Sequence, residues 1–473
     1  MDFLPHTTED IEEMLSVLGK SGLEELFEPV PEKLRLRRDL AVPEALDEVS
    51  LRAYVVELAG RSQGTERLVC FAGGGAYDHH VPAAVSALAS RAEFATSYTP
   101  YQAELSQGVL QALFEFQTLV CELFAMEIAN TSLYDGANAL VEAVNLAVRA
   151  TGRERVVVGS TVHPHYRDVL STYTSGLGLD IESVAFDPTR GVVDWGAVDA
   201  AGAAALVVAS PNFFGVLEDV SEAAAKTHPR GGLVIAVTDP TSMGVLAAPG
   251  DKGADVAVAE GHALGNALAY GGPYVGLFAT SERLLRQVPG RISGETTDRD
   301  GRRAFVLTLQ AREQHIRRAR ATSNVCTNQT LMALAAAVHL CWLGPSGLAR
   351  LGEICVRRTA YAAQRLAEIP GCRVKFPGPR FKELVLQLPS AADEIARGLA
   401  RRGYLVGPAL GRWYDCLLVA VTERRTRADI EGLAGAIEKE LAQEPAAGSA
   451  GAQEPVAGSA GAPEPAAGSA GAQ

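Results

Sequence analysis

Three nearly uninterrupted apolar runs, at 205–209, 233–237 and 255–259, read as strands buried on both faces rather than as sheet with one wet side. Further strand candidates at 156–158, 181–186 and 274–279 alternate with helical patterns at 165–175, 195–201 and 221–227. Such alternation predicts an α/β fold whose large sheet is mainly parallel, with helices on both faces. Sheets of that kind bind ligands beyond the carboxyl ends of their strands. Here the second run leads into Asp239-Pro240 and the third into Glu260-Gly261-His262, so the expected site lies there.

Several other segments carry polar groups that core packing does not call for. Tyr98, Tyr101, Gln102, Glu104 and Ser106 gather hydrogen-bonding groups just ahead of a helix whose Leu110, Leu113, Phe114, Gln117, Val120, Cys121 and Phe124 recur at helical spacing. The glycine-rich stretch 71–80 follows no obvious strand, and it lacks both the GxGxxG spacing and the Lys-Ser/Thr of a phosphate loop. It reads as backbone packed too closely for side chains. Asp135 reads as the cap of a helix reaching about Thr151, and with no hydroxyl at 136–139 that helix start is a poor phosphate site. His163 follows the strand at 156–158, where its ring is either structural or stacked on a planar ligand. The arginines of 289–330 suit a solvated helix face, whereas Thr322, Ser323 and Asn324 beside Arg320 offer short donors suited to a phosphate.

At 473 residues the chain is long enough for a large core and a smaller second one. The expected organisation is an N-terminal helical arm at 1–61, a large domain at 62–330, a small C-terminal α+β domain at 331–441 and a tail at 442–473. Thr8 is the expected cap of the first helix. The tail holds three copies of a ten-residue Ala/Gly/Ser/Pro/Glu unit and offers too little apolar surface to offset ordering, so disorder is expected. A net charge of -13 argues against nucleic acid, and no apolar run approaches a membrane span. Seven scattered cysteines without a CxxC pair, and a start without a signal-like run, point to a cytoplasmic protein with no metal site.

The motifs FAGGGAYDHHVPAAV (71–85), YTPYQAELSQGVLQALFEFQT (98–118), NTSLYDGANALVEA (130–143), DPTSMGVL (239–246), EGHALGNALAYGGPYVGLFAT (260–280) and ARATSNVCTNQTL (319–331) resemble the glycine decarboxylases, or P-proteins, of the glycine cleavage system. The likeness is to the alpha chains of their split form and runs in order to about residue 441. It implies the type I fold of pyridoxal-phosphate enzymes, like that of aspartate aminotransferase, with a large mainly parallel-sheet domain and a small C-terminal domain. Enzymes of that fold carry an Asp for the cofactor's ring nitrogen, as Asp239 would be, and a lysine soon after the next strand for the cofactor's aldehyde. No lysine follows Glu260 closely here. Lys252 precedes that strand at the wrong edge of the sheet, Lys375 is far downstream, and Lys20, Lys33, Lys226, Lys382 and Lys439 fall in segments that read as surface helices, loops or a late strand.

The resemblance therefore implies a chain with no catalytic lysine of its own, paired with a beta subunit that holds pyridoxal 5'-phosphate. The implied reaction is glycine decarboxylation with transfer of the aminomethyl group to the lipoyl arm of the H-protein, in a system linked to the T-protein and L-protein. By the same likeness, Tyr98, Tyr101, Gln102, Glu104 and Ser106 would reach the partner's site, and Thr322, Ser323 and Asn324 the phosphate held there. His163, Asp239, Glu260 and His262 would line an emptied pocket. A regulatory pseudoenzyme without a part in the chemistry is the alternative expectation.

Overall fold

The computed structural model of the chain describes residues 5–443, so the repeat tail expected to be disordered lies outside the described residues apart from 442 and 443, which extend the helix Arg427–Gln443. The described chain divides into two units, with the division after Gln63. In the first unit, Thr7 rather than Thr8 caps the helix Thr8–Val17: its hydroxyl accepts from the Asp10 N–H at 3.2 Å, and the Asp10 carboxylate accepts from the Thr7 N–H at 2.8 Å. The helix Glu48–Gly60 buries none of its residues.

In the second unit a seven-stranded sheet runs in the order Ile128–Ala129, Gly276–Thr280, Val256–Glu260, Leu233–Thr238, Ala203–Ala209, Arg155–Gly159 and Asp180–Val184. Every pairing is parallel except the two made by Gly276–Thr280. Ala203–Ala209 and Leu233–Thr238 are buried along their whole length, as continuous apolar runs require when both faces are covered. Alternate residues serve opposite faces. Val156, Val207, Ile235 and Val258 pack with the helix Gly136–Thr151, while Val157, Leu206 and Val234 pack with Trp195 and the helix Val220–Thr227. Ala257, Ala259 and Leu277 meet the helix Gln107–Phe124.

A smaller layer joins Arg373–Val374, Glu383–Gln387 and Cys416–Ala420 as antiparallel strands. Leu384, Leu386, Leu417 and Val419 pack there with Ile395, Leu399, Leu433 and Ile437 of two helices, Ala392–Arg401 and Arg427–Gln443. Beside it, Val69–Ala72 pairs in parallel with Tyr404–Gly407. The glycine-rich stretch thus does follow a strand. A four-residue strand whose partner is remote in sequence has no local signature to read.

Three further expectations are corrected. Part of the arginine-rich segment is a β-hairpin, Ile292–Thr297 with Arg303–Thr308, rather than a helix face. The helical pattern at 195–201 is a single turn, Trp195–Ala197, because the chain must extend again by Ala203 to enter the sheet. The helix Thr330–Ala367 is long and apolar enough to cross a membrane by composition, contrary to the reading of apolar runs above. It is interrupted at Gly344, and its Ala333, Ala336 and Leu340 pack in the core.

Candidate functional site

Strand register places the site. Thr238 pairs with Ala259, so Asp239 and Glu260 leave neighbouring strands side by side at the carboxyl edge of the sheet. Together with His163, His262, Tyr77 and Glu383 they line a cavity of about 80 Å³. All four residues expected to share an emptied pocket are therefore brought together.

Each of them is already engaged, with one exception. Glu260 accepts hydrogen bonds from the N–H groups of Gly136 (2.9 Å), His262 (2.9 Å) and Val275 (3.2 Å). Burial nevertheless pushes its carboxyl up to about 8, against the pull of those donors. His163 caps the helix Pro164–Thr174: its Nδ1 accepts from the His165 N–H at 3.1 Å, which leaves the Nε2–H to donate to the Gly74 carbonyl at 2.7 Å. The exception is His262, which is 1% exposed, with neither ring nitrogen hydrogen-bonded to a described residue. Burial lowers its pKa to about 4, so the ring is neutral.

Asp239 corrects the placing of Lys382 among surface helices, loops or a late strand. Its carboxylate accepts from the Thr241 N–H at 2.9 Å and the Thr241 hydroxyl at 2.6 Å, and it pairs with Lys382 Nζ at 2.5 Å. Lys382 is 1% exposed. Its ammonium also lies 3.0 Å from His79 Nε2, 3.4 Å from Thr241 Oγ1 and 3.6 Å from the centre of the Tyr77 ring. Burial opposes charge on Asp239, but Lys382 outweighs it and holds the carboxyl below its ordinary range. On the far side of His79, Nδ1 meets Glu423 at 2.6 Å. Burial works against that carboxylate too, yet the His79 contact brings Glu423 down to about 2. Lys252, by contrast, is exposed, ahead of the strand Val256–Glu260, as expected.

Tyr77, His79, Lys382, Glu383 and Glu423 were not singled out as site residues from the sequence. The available signal was Lys382-Glu383 at the head of an otherwise apolar strand, a charged pair where burial was due. Glu383 accepts from the Gly74 N–H at 2.7 Å and the Tyr77 hydroxyl at 3.0 Å, and burial pushes its carboxyl up to about 7. Gly73 is there for closeness, as expected, since a Cβ on it would stand 2.3 Å from the Glu383 carboxylate, whereas Gly74 and Gly75 take positive φ (+75° and +105°).

Pyridoxal 5'-phosphate does not fit this chain's own cavity. Its ring nitrogen would need Asp239, which Lys382 holds. At the helix start where a phosphate would seek N–H groups, Gly136 donates to Glu260 and Asn138 to Asp135, the cap expected from the sequence. The space of about 80 Å³ is also roughly half the ~150 Å³ of a cavity that takes a single benzene ring.

The remaining candidates lie elsewhere, and none of them lines the cavity. Tyr98, Tyr101, Gln102 and Glu104 are exposed and Ser106 is half-buried. Tyr101 is held by buried Arg291, which also donates to the Cys326 carbonyl and so ties the 98–106 loop to the segment after Asn324. In that segment the Thr322 N–H donates to the Arg312 carbonyl at 3.2 Å and Ser323 Oγ accepts from the Val325 N–H at 3.0 Å, while Asn324 is exposed.

The sheet order, the Asp at its carboxyl edge and the small C-terminal layer define the type I fold of pyridoxal-phosphate enzymes. Glutamate decarboxylase from Lactobacillus brevis shares that fold at 12% identity, with a TM-score of 0.65 over 88% of this chain and 97% of that one. A crystal structure of glycine decarboxylase (P-protein) of the glycine cleavage system, in inhibitor-bound form, is 44% identical, with a TM-score of 0.85 over 93% of this chain and all of that one (100%). Curated relatives named probable glycine dehydrogenase (decarboxylating) subunit 1 are 46% identical in Desulforamulus reducens, over 92% of this chain and 98% of the relative, and 46% identical in Moorella thermoacetica, over 93% and 100%. Residues 1–437 match the profile of the family described as Glycine cleavage system P-protein. The chain belongs to that family.

Proposed function

We propose that this chain is the subunit of a heteromeric glycine decarboxylase that completes an active centre whose pyridoxal 5'-phosphate is held by a second, beta subunit. The reaction is the decarboxylation of glycine with transfer of the aminomethyl group to the lipoyl arm of an H-protein, upstream of T-protein and L-protein, in the cytoplasm. The observation that carries the reading is the Asp239–Lys382 pair at 2.5 Å, which takes the ring-nitrogen partner out of use in this chain.

When bound, pyridoxal phosphate supplies the electron sink that makes loss of carbon dioxide from an amino acid feasible. This chain's share is positioning. Tyr101 presents a hydroxyl anchored by Arg291 on an exposed edge, and Tyr98, Gln102, Glu104 and Ser106 flank it with further polar groups. Thr322, Ser323 and Asn324 lie just before Cys326, whose carbonyl the same arginine takes, and they are the donors proposed for the partner's phosphate.

The test is co-expression with the beta chain and measurement of glycine–bicarbonate exchange with and without this chain. Borohydride reduction of the active complex, followed by peptide mass spectrometry, is expected to find the cofactor on a beta-chain lysine. Cofactor fixed to Lys252 or Lys382 of this chain overturns the reading.

A further inference from the structure

Around Lys382 the backbone and the cage tell one story. The residue has φ +43°, in the left-handed region that L side chains avoid, between Phe381 and Glu383, which are 1% and 5% exposed. Locked on both sides, the chain turns the lysine inward instead of letting it reach water, the usual course for so long a side chain. Its ammonium then meets a carboxylate (Asp239), a hydroxyl (Thr241), an imidazole nitrogen (His79) and an aromatic face (Tyr77). A carboxylate, a hydroxyl, an imidazole nitrogen and an aromatic face together form a cage suited to a nitrogen cation in general, not to lysine alone.

We infer that Asp239, Thr241, His79 and Tyr77 form a latent site for a protonated nitrogen base and that Lys382 is its built-in occupant. The lysine decides what the pocket refuses: any ligand that presents a cationic ring nitrogen finds the carboxylate already neutralised. This rests on the reading that the chain holds no cofactor of its own, and adds that the missing aldehyde-binding amine is not the sole cause. An occupied carboxylate is a second one. Supplying a lysine after Glu260 would therefore not by itself restore a cofactor site.

The test uses the full-length chain with Lys382→Ala and, as probe, 4-aminopyridine, a small planar base protonated on its ring at neutral pH. Calorimetric titration is expected to show saturable binding to Lys382→Ala, about ten-fold or more tighter than to the wild type. The double variant Lys382→Ala, Asp239→Asn is expected to lose that binding. n-Propylammonium, which replaces the atoms removed from the side chain, should compete with the probe. If Lys382→Ala does not fold, refolding in the presence of n-propylammonium is expected to recover it. A folded Lys382→Ala that binds neither cation, or a misfolded one that propylammonium does not rescue, overturns this inference and leaves the subunit reading standing. Borohydride-fixed pyridoxal phosphate on a lysine of the wild-type chain sinks the subunit reading instead.

Discussion

The guanidinium of Arg291 lies over the ring of Tyr101, 4.8 Å from its centre, and donates to the Tyr101 hydroxyl at 2.8 Å. Arg291 is 4% exposed while Tyr101 is 53% exposed. A buried cation thus fixes the orientation of a surface tyrosine, which is the preorganisation that the proposed meeting of Tyr101 with a group on the beta chain calls for.

Tyr101→Phe keeps the ring and removes a hydrogen bond worth about 1 kcal/mol or somewhat more. Assembly with the beta chain is expected to survive, with glycine–bicarbonate exchange falling on the order of ten-fold, mainly in kcat. Size-exclusion chromatography and exchange kinetics on the same preparation check both halves. Unchanged exchange favours the regulatory pseudoenzyme.

Removing one member of a buried ion pair leaves the other without compensation, so Lys382→Ala is expected to cost about 3–5 kcal/mol of stability. Adding Asp239→Asn should return part of that loss, because a neutral amide tolerates burial better than an unpaired carboxylate. Urea unfolding of the two variants gives the comparison directly.

Two carboxyls pull stability in opposite directions with pH. Glu423 lies at about 2 in the folded chain against an ordinary 4.5, so its contribution is present above about 4.5 and is lost as pH falls toward 2. That contribution is about 3 kcal/mol, and Glu423→Gln is expected to flatten the acid limb of a stability–pH curve. Glu260, raised from 4.5 to about 8, binds its proton more tightly when folded, so its contribution is present below 4.5 and lost as pH rises through 8. Infrared difference spectroscopy should show a carboxylic acid band that titrates near 8 and is absent from Glu260→Gln.

Gly136 stands where the helix start, Glu260 and Tyr166 converge. A Cβ there would lie 2.1 Å from the Tyr166 hydroxyl and 2.8 Å from the backbone nitrogen of Glu260. Gly136→Ala is expected to destabilise the chain by about 1–3 kcal/mol through overpacking. Tyr166→Phe, which removes the nearest atom, should relieve part of it, as thermal unfolding of the single and double variants will show.

Much of the seven-stranded sheet was legible because its order is written locally. The runs at 205–209 and 233–237 are buried on both faces in any sheet that covers them, and Asp135 caps its helix through its own neighbours, with its carboxylate 2.8 Å from the Asn138 N–H. The strand Val69–Ala72 and the hairpin Ile292–Thr297 with Arg303–Thr308 were not, since pairing rather than composition makes them strands.

By itself the sequence determined the α/β architecture, the two polar strand ends at Asp239 and Glu260, and the want of a lysine closely after the second of them. Local patterns suffice for these because burial of a strand and the position of its last residue depend on a few neighbours. Only the tertiary structure decided where Lys382 goes. An ammonium 143 positions from Asp239 in the chain (382 − 239) reads as a surface charge until the small layer folds against the sheet edge and closes water out between them. Long-range packing alone sets which charges meet, and that meeting determines what the pocket accepts.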